Sequence, residues 1–137
     1  MAHLKKEKGD IGVAKIISDL TSKQWNVCIP ISEHTKYDLI AEKEGKIVRV
    51  QVRFTTQKNG KLNIRLSSVW SDKKGNHVVN RKSGDYDVLA VYCPNTDSAY
   101  YISDNLFDNK KTITLSLTGS KNNQKKKVRL ASDFLQI

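Results

Sequence analysis

Between residues 46 and 55 the chain alternates almost strictly: Val48, Val50, Val52 and Phe54 fall on one side, and Arg49, Gln51, Arg53 and Thr55 on the other. A period of two is the signature of a strand with one face in the core and the other free for chemistry. The segment before it, Tyr37-Asp38-Leu39-Ile40-Ala41, is also largely apolar, and Glu44-Gly45 between the two predicts a tight turn. Residues 37–55 therefore read as a hairpin. Upstream, Gly9-Asp10 opens a different period, in which Val13, Ile16, Ile17 and Leu20 recur at i, i+3, i+4 and i+7. That spacing predicts a helix over residues 11–20 with one buried stripe. Residues 1–8, short and basic, are a mobile arm or the entry to this helix, and β-structure resumes at residues 25–30.

Beyond the hairpin, residues 57–60 predict a second turn into a strand at 61–67, where Leu62, Ile64 and Leu66 alternate with Lys61, Asn63, Arg65 and Ser67. Residues 71–84 hold Lys73, Lys74, His77, Arg81 and Lys82 among few apolar positions, which predicts a loop or protruding excursion. The unbroken apolar run Val88–Cys93 predicts a buried central strand. Residues 99–102 are its hairpin partner across the Pro94-Asn95-Thr96-Asp97 turn, and residues 112–117 alternate again, with Ile113, Leu115 and Leu117 on one side. Residues 119–127 carry Lys121, Lys125, Lys126 and Lys127 and can bury nothing, whereas Leu130, Phe134 and Leu135 near the end are expected to dock on the core or on a neighbouring subunit. With no repeat or linker, the expected architecture is one α/β (α+β) domain over residues 1–137, a mixed sheet around residues 48–54 and 88–93 with the helix packed on it.

Composition narrows the partners. A net charge of +10 and a pI near 9.6 on 137 residues describe a basic surface that attracts polyanions, nucleic acid first among them. No apolar run approaches the ~20 residues of a membrane span, and no secretory leader is evident at the N-terminus, so no membrane partner is expected. Cys28 and Cys93 lie in apolar strand-like runs, and the three histidines are scattered, which argues against zinc and for a reducing, cytoplasmic setting.

The hairpin carries the candidate chemistry. Asp38 is a lone carboxylate at the start of an apolar strand, and antiparallel pairing brings it toward Gln51 and Arg53, two apart on one face. Two oxygen-bearing groups and a cation there suit a divalent metal ion beside a phosphate. Asp10, near the expected helix start, has two readings: a carboxylate turned toward the sheet, or a cap that complements the helix dipole. Lys61, Asn63, Arg65 and Ser67 form a polar strand face, which is either a base-reading surface or a solvated edge. Arg and Asn match guanine and adenine edges in the major groove, which a two-stranded ribbon can enter. Lys73, Lys74, Arg81, Lys121, Lys125, Lys126 and Lys127 are candidates for phosphate contact, the alternative being a solvated loop. Asp85 and Asp87, ahead of the central strand, are expected to be structural.

Lys8-Gly9-Asp10 before the helix, Ser32-Glu33-His34, Tyr37-Asp38-Leu39-Ile40, Arg49-Val50-Gln51-Val52 and the run from Tyr86 to Cys93 together resemble the PD-(D/E)XK nucleases, in particular the short homing endonucleases encoded in bacterial, including cyanobacterial, group I introns. Tyr37-Asp38 stands for Pro-Asp, and Gln51-Val52-Arg53 for the acidic-x-Lys motif. The resemblance implies a restriction-endonuclease-like core with a β-hairpin or loop extension that reads DNA, and Mg²⁺-dependent cleavage of both strands of a long double-stranded target, with Mn²⁺ as a substitute and no small-molecule cofactor. It further implies a homo-oligomer, dimer or tetramer. Asp38, Gln51 and the carbonyl of Val52 would be metal ligands, helped by a further acid: Glu33, Asp10 or Glu7. Asp10 stands for a glutamate that many of these nucleases carry inside the first helix, where the corresponding face here offers Val13. Arg53 departs from the motif, because a guanidinium keeps its proton and can only hold or stabilise a phosphate. Two other functions share these features: a non-catalytic nucleic-acid-binding module of the same fold, and a Holliday junction resolvase-like nuclease.

Overall fold

The computed structural model describes residues 4–79, 84–107, 110–118 and 129–137. A helix, α1 (Leu4–Ser22), leads into β1 (Asn26–Cys28), β2 (Leu39–Lys43) and β3 (Lys46–Phe54). β4 (Lys61–Arg65), β5 (Ser68–Asp72), β6 (Gly75–Val79), β7 (Val88–Cys93), β8 (Ser98–Ser103) and β9 (Thr112–Ser116) follow. The central sheet has five strands in the order β1-β2-β3-β7-β8, all neighbours antiparallel except β3 and β7, which run parallel.

The predicted hairpin forms with Lys43 opposite Lys46 and with positive φ at both Glu44 (52°) and Gly45 (82°). Two positive φ values give the turn whose twist matches paired strands. Val50 is fully buried and Val52 nearly so, and all six residues of β7 are buried. Val48, Val50 and Val52 of β3 pack, with Ala90 and Tyr92 of β7, against Ile16 and Leu20 of α1.

The helix begins at Leu4, well before Gly9-Asp10, so Asp10 lies inside it and the expectation of a cap is overturned. Leucine, lysine and glutamate before Gly9 are good helix formers, and two interior glycines do not stop a helix docked on a sheet. At Gly12 the helix lies close on β3: a Cβ there would stand at contact distance, 3.4 Å from Val52 Cγ1 and 3.6 Å from Phe54 Cβ, which leaves no room for a longer side chain. At the other end, Gln24 (φ 69°) donates to Thr21 O and Trp25 N–H to Leu20 O. These paired bonds close the helix and turn the chain into β1.

The opposite face of the sheet is covered by strands. Residues 58–61 turn as expected, but β4 does not return along β3, because both edges of β3 are taken by β2 and β7. It crosses onto the face and pairs antiparallel with β9, Asn63 opposite Thr114 and Arg65 opposite Thr112. Leu62, Ile64, Ile113 and Leu115 of this ribbon pack against Leu89, Val91, Cys93, Tyr100 and Ile102. The strand expected over 61–67 ends at Arg65, leaving Ser67 half-buried beyond it.

Three further readings gain detail. The 71–84 excursion begins as a hairpin, β5 with β6, which too few apolar positions had betrayed. Cys28 is exposed on the edge strand β1, while Cys93 is buried. In the last segment Phe134 packs on the ribbon-side core and Ile137 on the helix-side core, whereas Leu135 is 41% exposed. The 119–127 segment and Arg81 lie outside the described residues. Among the described residues, no helix is long and apolar enough to cross a membrane.

Candidate active site

β2 begins at Leu39, opposite Val50, whereas β3 continues beyond that level to Phe54. Asp38 sits at this step. Its backbone N–H donates to Val50 O at 2.9 Å, and its Oδ2 accepts from Val52 N–H at 2.7 Å. The side chain thus replaces the backbone acceptor that a longer β2 would have supplied, and the carboxylate is held level with residues 51–53.

Burial pushes the Asp38 carboxyl above its ordinary range, opposed in part by the Val52 N–H and by the charge of Arg53. Desolvation disfavours an anion with no cation against it, so this carboxylate is poised to gain from one. The backbone adds a second oxygen. Val50 O and Val52 N–H both point toward β2, while Arg49 O accepts from Asp87 N–H and Thr55 N–H donates to Tyr92 O on the β7 side. By this alternation the Val52 carbonyl also points toward β2, past the end of that strand and beside Asp38.

Gln51 and Arg53 project from the other face of β3, toward the ribbon side. The orientation of the Gln51 amide is assigned from its neighbours: only with its nitrogen facing Lys36 O and its oxygen facing Arg53 Nη1, each at 2.7 Å, do both find a partner. Arg53 Nε lies 3.5 Å from Arg65 O, a long contact that links the site to β4. Asp38, Gln51, the Val52 carbonyl and Arg53 are therefore brought together at one step in the sheet. Carboxylate, amide and peptide oxygens are hard donors of the kind that Mg²⁺ and Mn²⁺ accept, so the donor set fits such an ion.

The other acids do not complete a cluster. Among the described residues, no three His, Cys, Asp or Glu side chains come together as a ligand group. Asp10 and Glu7 are exposed on α1, and that helix covers the Val50 and Val52 face, opposite Gln51 and Arg53. Glu33 is exposed in the loop before Asp38.

One arrangement was only half visible in the sequence. Arg49 N–H and Nε donate to Asp87 Oδ2 at 2.8 and 3.2 Å, and Nη2 to Oδ1 at 3.0 Å. Its Nη1 donates to Gly84 O at 2.6 Å. This fork ties β3 to the start of β7 and sets the register that places Gln51 opposite Leu89. Asp87 is structural, as expected. Its partner, two residues before Gln51 on the same face, could have been suspected from the strand alternation, but the pairing across 38 residues could not.

The ribbon presents Lys61, Asn63 and Arg65 outward, with Thr112 and Thr114 opposite, and Thr114 Oγ1 donates to Asn63 Oδ1 at 3.0 Å. Lys73 and Lys74 are exposed at the β5–β6 turn. Lys121, Lys125, Lys126 and Lys127 lie outside the described residues, with Arg81.

The same architecture is found in a solved protein. The chain is similar to the bacterial homing endonuclease I-Ssp6803I, with a TM-score of 0.75 and 22% identity over 90% of this chain and 84% of that one. No curated protein matches it at a significant level. The PD-(D/E)XK endonuclease family model matches residues 3–137, and the chain belongs to that family.

Proposed function

We propose that this protein is a site-specific DNA endonuclease of the homing type, one nuclease domain over residues 1–137, that breaks both strands of a long duplex target in the presence of Mg²⁺. The observation that carries this reading is the Asp38 carboxylate, bonded to Val52 N–H beside Gln51 and Arg53 at the end of β2. An ordinary solvated strand face has no need of a half-buried anion at that step.

Asp38, the Val52 carbonyl and Gln51 would hold Mg²⁺, or Mn²⁺ in its place; Glu33 or Asp10, exposed and not gathered at the step, would serve as a further acid only if DNA binding brought it there. When bound, the ion supplies positive charge to a scissile phosphate and lowers the cost of activating water. Hydrolysis breaks a phosphorus–oxygen bond of the backbone and places extra negative charge on the phosphorane. Arg53 meets that charge with a planar fork of donors. A guanidinium does not serve as the base, so the proton of the attacking water leaves to bulk solvent or to phosphate. In the DNA-free protein Gln51 holds the Arg53 guanidinium and the Lys36 carbonyl in one arrangement. Lys61, Asn63 and Arg65 read the target from the ribbon, and Lys73, Lys74, Arg81, Lys121, Lys125, Lys126 and Lys127 hold phosphates. A break in both strands needs two sites, which two or four copies of the chain supply.

The second reading is a binding module without turnover, favoured by Arg53 in the lysine position and by the single carboxylate at the step. Incubation with Mg²⁺ of a plasmid library of randomised targets, and in parallel of a four-way junction, separates the possibilities. Linear products sharing one sequence support the proposal. Junction cleavage alone favours a resolvase, and tight binding without products in either arm favours the module.

A further inference from the structure

The contact between Gln51 and Arg53 has a consequence for the order in which ligands bind. The Gln51 carbonyl oxygen, one of few donors at the step, accepts the Arg53 guanidinium at 2.7 Å. The charge of Arg53 also acts on the Asp38 carboxylate. Both effects oppose a divalent cation at Asp38: one engages a neutral ligand, the other places positive charge where positive charge must enter. A phosphate reverses both. It is a stronger acceptor for guanidinium than a neutral amide, and it brings anionic oxygens of its own.

We infer that Arg53 is a latch on Gln51 that keeps the metal site weak in the DNA-free protein and is drawn off by a backbone phosphate, so that cation and duplex bind cooperatively. The inference rests on the nuclease reading and adds an order to it: the duplex engages first and the cation is retained second. Because coupling between two ligands is reciprocal, the cation tightens DNA binding by the same factor.

The test is Mn²⁺ binding, read by electron paramagnetic resonance of the free ion, on the full chain. The variants are Arg53→Met, Arg53→Gln, Gln51→Met, the Arg53→Met/Gln51→Met pair and Asp38→Asn, each checked for folding by circular dichroism. Binding is measured without DNA and with a duplex recovered by binding in EDTA from a randomised pool. The duplex is expected to tighten Mn²⁺ binding to the unsubstituted protein by about tenfold or more. In the DNA-free protein, Arg53→Met should tighten it by a similar factor, and Arg53→Gln should follow in the same direction. In the Gln51→Met background the Arg53 substitution should have a clearly smaller effect, because the latch is gone and only the charge of Arg53 remains to be removed. An equal effect in both backgrounds means that Arg53 acts only by its charge, and overturns the latch. Binding abolished by Asp38→Asn but indifferent to Arg53 and to duplex also overturns it, and leaves the nuclease reading standing. No Mn²⁺ binding in any form, with or without duplex, removes both.

Discussion

The Asp38 carboxylate accepts a hydrogen bond from the Val52 N–H at 2.7 Å, just ahead of β2, which begins one residue later at Leu39 and leaves the end of β3 without a backbone partner on that side. A side chain thereby does the work of a missing backbone acceptor while keeping its second oxygen for other partners. The pairing fixes a half-buried acid, so stability and the proposed function pull in opposite directions at Asp38.

That opposition has a sign that can be measured. Burial raises the Asp38 pKa in the folded state above its unfolded value near 3.8. Its contribution is then most favourable below the unfolded value and is lost as pH rises through the folded one. Asp38→Asn keeps an acceptor for Val52 N–H and removes the charge, so it should raise the melting temperature by about a few degrees at neutral pH. The gain should vanish as pH falls below the unfolded value. A loss of stability at neutral pH would show that the carboxylate is better solvated than its burial implies.

Arg53→Lys tests the residue that departs from the family motif. A compact ammonium approaches water and phosphate together, and cleavage should quicken by about tenfold or more. Single-turnover rates on a saturating duplex are the measurement. Equal or slower cleavage would make arginine the working residue in this chain.

Helix position matters because Gly12 touches the same strand. Gly12→Ala adds a Cβ at ordinary contact distance from Val52 Cγ1 and should be nearly neutral, helix propensity offsetting the tighter fit. Gly12→Leu cannot be fitted without moving β3, and should cost about 1–3 kcal/mol in urea denaturation. Equal stability of the leucine variant would mean that the helix is not seated on Val52 and Phe54.

The outward row of the β4–β9 ribbon predicts how DNA is read. Asn63→Ala and Arg65→Ala should each relax target choice, with about 1–3 kcal/mol of discrimination lost at one base pair. Affinity should fall steeply with salt, as the net charge of +10 requires. If both substitutions weaken binding to every sequence alike and make the salt slope shallower, these side chains touch phosphates instead.

Much of the fold was legible because burial leaves a period. The alternation of residues 46–55 located β3, the unbroken run at 88–93 located the strand beside it, and the 13-16-17-20 spacing located the helix stripe. The Asp38, Gln51 and Arg53 grouping followed from hairpin geometry. What escaped was non-local. Nothing near β4 says that its partner is β9, some fifty residues on, because the choice was made by β7 occupying the edge of β3. The helix start was misplaced because Gly9-Asp10 looks like a boundary, and only docking on β3 shows why the helix runs through it. The Arg53 contact with Gln51 also lies beyond a sequence pattern, since alternation gives a shared face but not a bond.

Metal-dependent cleavage, as proposed, requires the Asp38 carboxylate, and one comparison tests this most directly. The unsubstituted protein and Asp38→Asn are incubated with a randomised-target plasmid library at equal concentrations in Mg²⁺ and, separately, in EDTA. The account predicts linear products sharing a common site from the unsubstituted protein in Mg²⁺ alone, with none from Asp38→Asn in either condition although it still binds the recovered duplex. Cleavage by Asp38→Asn at an undiminished rate, or cleavage that persists in EDTA, would contradict it.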